Sequence, residues 1–119
     1  MVCSVLVVDD NPDILQLVSE YLLDNSYAVE TAKSAAEALG VIRGGHVPQI
    51  LISDIVMPGT IDGVELAKLV KKAHPEIGIL LMTGWSLDQD HNFTCLSKPF
   101  HLPEITNWIE EFFASTEGK

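Results

Sequence analysis

Five side chains could share one piece of chemistry, provided the fold brings them together. Asp9 and Asp10 follow the apolar run Val5 to Val8, and Asp54 closes the stretch "LISD". Thr83 follows the run Ile77 to Met82, and Lys98 follows Phe93 to Leu96. Three carboxylates in one crevice repel one another unless something positive lies among them. A hard divalent cation with oxygen ligands, most naturally Mg²⁺, answers that need. A lysine and a hydroxyl beside it suit a phosphoryl group, by point charge and by hydrogen bond. In that arrangement Asp54 is the nucleophile that accepts the phosphoryl group, because the cation offsets repulsion between carboxylate and phosphate. Asp10 ligates the metal directly, and Asp9 directly or through water. Lys98 pairs with the acyl phosphate, or with Asp54 before modification, and Thr83 donates its hydroxyl to a phosphoryl oxygen.

Such a set needs rigid elements that end at one place. Val5 to Val8 reads as a first strand, and Pro12 opens a helix with Ile14, Leu15, Leu17, Val18, Tyr21 and Leu22 at helical spacing. Tyr27 to Thr31 is a second, more polar strand. Ser34, three residues ahead of Glu37, caps a helix that carries Ala35, Ala38, Leu39 and Ile42 inward and ends near Gly44-Gly45. Ile50 to Ser53 is the third strand, and "VELAKLVKKA" the third helix. Ile77 to Met82 is the fourth strand, apolar apart from Gly78, and Phe93 to Leu96 a short fifth. A last helix runs from about Pro103 to Phe113, leaving "STEGK" as a frayed tail. Strands 1, 3 and 4 are continuously apolar, as in a sheet covered by helices on both faces. The alternation therefore predicts an α/β fold with a parallel, doubly wound sheet. Ligands of such sheets sit outside the carboxyl ends of the strands, where all five side chains fall.

The 119 residues allow one domain with a single core. A formal charge of −10 repels nucleic-acid phosphates, so direct DNA or RNA binding is not expected. No apolar run approaches a membrane span, and "MVCSVLVVDDN" lacks the basic start of a signal peptide. No membrane contact is expected, and a cytoplasmic location fits two cysteines, Cys3 and Cys95, read as reduced and buried. Asp13 is an ordinary first-turn acid, and Asp62 organises the turn before the third helix. His46, His74, His91 and His101 share no ligand spacing and read as surface or capping residues. Phe100 and Trp108 read as packing residues.

The pieces "VLVVDDN", "LISDIVMPG", "IDGVELA", "LLMTG" and "LSKPF", in this order, resemble the response-regulator receiver domain of two-component signalling. The likeness covers about residues 3–115, within a single receiver domain over 1–119. It implies a five-stranded parallel sheet in the flavodoxin-like order 2-1-3-4-5. It further implies Mg²⁺-dependent phosphotransfer to Asp54 from a phosphohistidine in a partner histidine kinase or histidine phosphotransfer domain. By the same resemblance the backbone carbonyl of Val56 joins Asp9, Asp10 and Asp54 as metal ligands, and the Lys98–Pro99 peptide is expected to be cis.

Several features depart from the family pattern. "GTI" between Met57-Pro58 and Asp62-Gly63 adds one residue to the common spacing, a trait of receivers attached to hybrid sensor kinases. With "TGW", it points to a domain excised from such a kinase or from a multidomain regulator. The segment between Thr83 and Lys98 is short, so the fourth crossover helix is expected to be one or two turns or missing. Cys95 stands where relatives often carry an aromatic switch residue. Val56 and Trp85 would flank the phosphoryl site, and neither can orient water, which predicts slow self-dephosphorylation. The main rival reading is a receiver-like scaffold, never phosphorylated, that serves as a protein-interaction module. A phosphatase with an aspartyl nucleophile would want a second acid two residues after Asp54, where Val56 stands. A flavin carrier fits less well, since the acids would repel its phosphate.

Overall fold

Val5 to Val8, Ile50 to Ile52 and Ile79 to Leu81 are apolar at consecutive positions, so each must be covered on both sides. The computed structural model, which describes residues 3–57, 59, 61–84 and 93–117, shows how. Strands β1 (Ser4–Val8), β2 (Ala28–Ala32), β3 (Ile50–Asp54), β4 (Gly78–Thr83) and β5 (Thr94–Ser97) form one parallel sheet. Its order is β2-β1-β3-β4-β5, as the resemblance implied. Four helices accompany it among the described residues: α1 (Pro12–Asp24), α2 (Ala35–Arg43), α3 (Gly63–Ala73) and α4 (Leu102–Glu117).

Alternate residues of each strand serve opposite layers. Leu6, Val8, Leu51 and Leu81 meet Ala38 and Ile42 of α2 and Leu66, Ala67 and Val70 of α3. Val5, Val7, Ile52 and Leu80 meet Leu15, Val18 and Leu22 of α1 and Ile105 and Ile109 of α4. Each fully buried leucine or isoleucine contributes about 1.5–3 kcal/mol of transfer free energy. The central strands are thus the most firmly held parts of the chain, and they carry the acids.

The helix starts follow local chemistry. Asn11 caps α1, its Oδ1 accepting from the N–H groups of Asp13 (2.9 Å) and Ile14 (3.3 Å), with Pro12 in the first turn. Ser34 caps α2 through Glu37 N–H at 3.1 Å, and the Glu37 carboxylate accepts from Lys33 N–H at 3.3 Å. Asp62 caps α3 through Glu65 N–H at 2.9 Å, the turn role expected of it.

Some boundaries differ from expectation. β2, β4 and β5 each lie one residue further on than their apolar runs, and β3 extends one residue past its own. Asp54 and Thr83 are therefore the last rungs of β3 and β4, paired with Met82 and Ser97, and do not follow the strands. α4 continues four residues past Phe113 to Glu117, so Ser115 to Glu117 are helical and not a frayed tail; no breaker precedes Gly118. Leu17, which fits the helical period of α1, is 51% exposed. Cys3 and Cys95 are not joined in a disulfide and are only half-buried, because Cys3 precedes β1 and Cys95 lies on the edge strand β5. Burial still pushes both thiols up, away from the reactive thiolate. The expected fourth crossover helix, Trp85 and His91 fall within residues 85–92 and lie outside the described residues. Phe100 and Trp108 pack against the α1/α4 layer. No helix among the described residues is long and apolar enough to cross a membrane.

Candidate functional site

Parallel strands all end on one side, so the last residues of β1, β3, β4 and β5 share an edge. Asp9 directly follows β1 and is buried. Its backbone N–H donates to Ala32 O at 3.1 Å, continuing the ladder to β2. Its Oδ1 accepts from Asn11 N–H at 2.9 Å, so the turn that caps α1 also fixes this carboxylate. Asp10, next to it, is exposed. Asp54 ends β3 with its side chain 11% exposed. Lys98 is held at the end of β5, its N–H donating to Thr83 O at 2.7 Å, and the Lys98–Pro99 peptide is cis.

These groups converge. Lys98 Nζ lies 3.4 Å from Asp54 Oδ2 and 3.5 Å from Asp9 Oδ2. One oxygen from each of Asp9, Asp10 and Asp54 lies within 4.8 Å of the others. Burial pushes the Asp54 carboxyl up, and the charge of Asp9 pushes it further. Lys98 opposes both by charge and by hydrogen bonding, while Asp10 adds a smaller upward push. Thr83 is buried at the end of β4, on the same edge. Val56 follows Asp54 by two residues and is 56% exposed.

Residues 5–110 match the family described as response regulator receiver domain. The chain belongs to that family. This receiver is 38% identical over 85 residues to the nitrogen assimilation regulatory protein NtrX of Azorhizobium caulinodans, covering 71% of this chain and 18% of that protein. It is 32% identical over 117 residues to the sensor kinase CckA of Brucella abortus, covering 91% of this chain and 12% of the kinase. The receiver thus spans a small fraction of the length of these two relatives. Among solved structures, the response regulator TrrA of Thermotoga maritima in complex with Mg²⁺-BeF is similar at TM-score 0.82 and 30% identity. That likeness covers 92% of this chain and 98% of TrrA.

The donor set of this receiver fits a divalent cation. Among the described residues, Asp9 Oδ2 is buried with no hydrogen-bond partner and is paired in charge with the shared Lys98 ammonium at 3.5 Å. A buried, unpartnered carboxylate oxygen is costly. Among the described residues, three carboxylates against one ammonium leave negative charge uncompensated, and oxygens are the ligands that Mg²⁺ takes.

Two residues of the receiver's edge carried no role in the sequence reading. Gly63 opens α3 so close to β3 that a Cβ would stand 2.7 Å from Ile55 Cα and 2.9 Å from the Asp54 carbonyl carbon. Ser53, fully buried, donates its hydroxyl to Asp54 O at 2.9 Å. The glycine after Asp62 was a visible signal, since a helix start behind a functional strand end has little room. Ser53 gave none.

Proposed function

We propose that this receiver is a phosphoacceptor switch in which Asp54 takes a phosphoryl group from a phosphohistidine of a partner histidine kinase or histidine phosphotransfer domain. The reading is carried by one observation: Lys98 Nζ stands within 3.5 Å of both Asp9 and Asp54 while the three acids crowd together. An Asp54 carboxylate oxygen attacks phosphorus; the bond from phosphorus to the imidazole nitrogen breaks, and the partner's imidazole leaves with the electron pair and takes up a proton. Lys98 pairs with the Asp54 carboxylate beforehand and with the phosphoryl oxygens afterwards. Thr83 donates its hydroxyl to one of those oxygens. Asp9, Asp10, Asp54 and the Val56 carbonyl would hold Mg²⁺. When bound, the ion supplies positive charge that lets an anionic nucleophile meet an anionic phosphate. The TrrA likeness, with its Mg²⁺-BeF complex, supports this reading.

The likeness to a sensor kinase and to NtrX supports a place in a longer signalling protein, reached through a kinase partner. The formal charge of −10 argues for proteins as partners in the cytoplasm and against direct nucleic-acid contact by this domain.

Titration with Mg²⁺ and beryllofluoride, a phosphoryl mimic, tests the reading. A saturable spectroscopic change in the parent, lost in Asp54→Asn, is expected. No response in either protein would favour an interaction module that keeps the fold without the modification.

A further inference from the structure

We infer that Ser53 and Gly63 are positioning residues for the metal and the nucleophile, both clamping the Asp54–Ile55 peptide at the Asp54 carbonyl. The inference rests on the function proposed above. Ser53 lies in β3 between Val8 of β1 and Leu81 of β4 in register. A hydroxyl among apolar neighbours is costly unless bonded. This one is bonded to the Asp54 carbonyl oxygen at 2.9 Å.

Gly63 approaches the same peptide from α3. Its N–H donates to the carbonyl of the next peptide, Ile55 O, at 2.8 Å. A methyl at this position would press on Ile55 Cα and the Asp54 carbonyl, well inside the usual carbon–carbon contact distance. Those are backbone atoms and cannot swing aside as a side chain can. Accommodating the methyl means displacing either the start of α3 or the segment from Asp54 to Val56. Removing the Ser53 hydroxyl instead releases one restraint on the Asp54 carbonyl. Either change moves the carboxylate and the Val56 carbonyl relative to Asp9 and Asp10. Mg²⁺ demands near-ideal octahedral geometry, so such a shift registers in its affinity.

The test is calorimetric Mg²⁺ titration of the full chain, with thermal unfolding of each variant alongside. Gly78→Ala serves as the control, because a Cβ there meets Ile50 and Phe112, remote from the acids. Ser53→Ala and Gly63→Ala are expected to weaken Mg²⁺ binding by about 3-fold to 10-fold in folded protein, the scale of one lost hydrogen bond. Gly78→Ala is expected to lower the unfolding temperature and leave Mg²⁺ affinity unchanged. If Gly63→Ala does not fold, Ser53→Ala carries the test alone. Parent-like affinity in Ser53→Ala, or equal weakening in Gly78→Ala, would overturn the clamp and leave the proposed function standing. A parent that binds no Mg²⁺ would overturn both.

Discussion

Lys98 holds its ammonium 3.4 Å from Asp54, yet burial and the charge of Asp9 still keep the Asp54 carboxyl above its ordinary range. One cation is not enough for this crevice. A carboxylate raised in the folded state stabilises the protein below its unfolded pKa, and that stability is lost as pH rises through the folded value. With metal chelated, Asp54→Asn should therefore raise the unfolding temperature by a few degrees at neutral pH. The gain should vanish below about pH 4, near the unfolded carboxylate value. Thermal unfolding of parent and variant across pH checks this; a gain that persists in acid would contradict it.

Lys98 and Asp10 should separate in their effects. Lys98→Ala removes a positive charge from the metal's neighbourhood, so Mg²⁺ affinity should hold or tighten. Beryllofluoride binding should fall by about 10-fold to 100-fold, the range for a charged hydrogen bond. Asp10→Ala should weaken Mg²⁺ first, with beryllofluoride lost as a consequence. Paired titrations of the two ligands distinguish these orders.

Val56 is exposed beside the candidate nucleophile and carries no polar group. Phosphorylated receiver should lose phosphate slowly, with a lifetime well beyond seconds. Val56→Asn, which offers an amide to orient water, should speed the loss severalfold. Decay of labelled phosphoprotein measures both, and a fast parent would sink the idea.

Gly78 opens β4 where a Cβ would stand 2.8 Å from Ile50 Cδ1 and 2.9 Å from the Phe112 ring. Phe112 stacks on Trp108 with ring centroids 5.5 Å apart, so a retreat of its ring disturbs that stack. Gly78→Ala should cost about 1–3 kcal/mol by overpacking. Phe112→Leu, combined with it, should recover part of that loss in denaturant unfolding.

Much of this architecture was legible because strands buried on both faces leave an unmistakable trace. Consecutive apolar residues at Val5 to Val8 and Ile50 to Ile52 named the central strands, and the polar residues behind them named the edge where the acids meet. Strand ends were less legible. Asp54 and Thr83 look like loop residues by composition, but their parallel partners Met82 and Ser97 carry the ladder through them. The extension of α4 was hidden by small polar residues that a helix tolerates when its apolar face is already docked. Gly63 left a trace as the glycine behind Asp62, but its reason, the close approach of α3 to the Asp54–Ile55 peptide, lies in the packing, and Ser53 looked like one more strand residue. Gly78 was visible as an interruption of an apolar run, but its reason, Phe112, lies far along the chain.

α4 begins just beyond Lys98 at the acidic edge and runs back over the sheet until Phe112 touches Gly78 at the start of β4. Its sixteen residues cover about 24 Å. The first strand also begins on that far side, so both ends of the described fold point away from the carboxylates. A covalently attached neighbour would therefore lie across the height of the sheet from Asp54, and among the described residues α4 is the helix that links that far side to the edge beside Lys98.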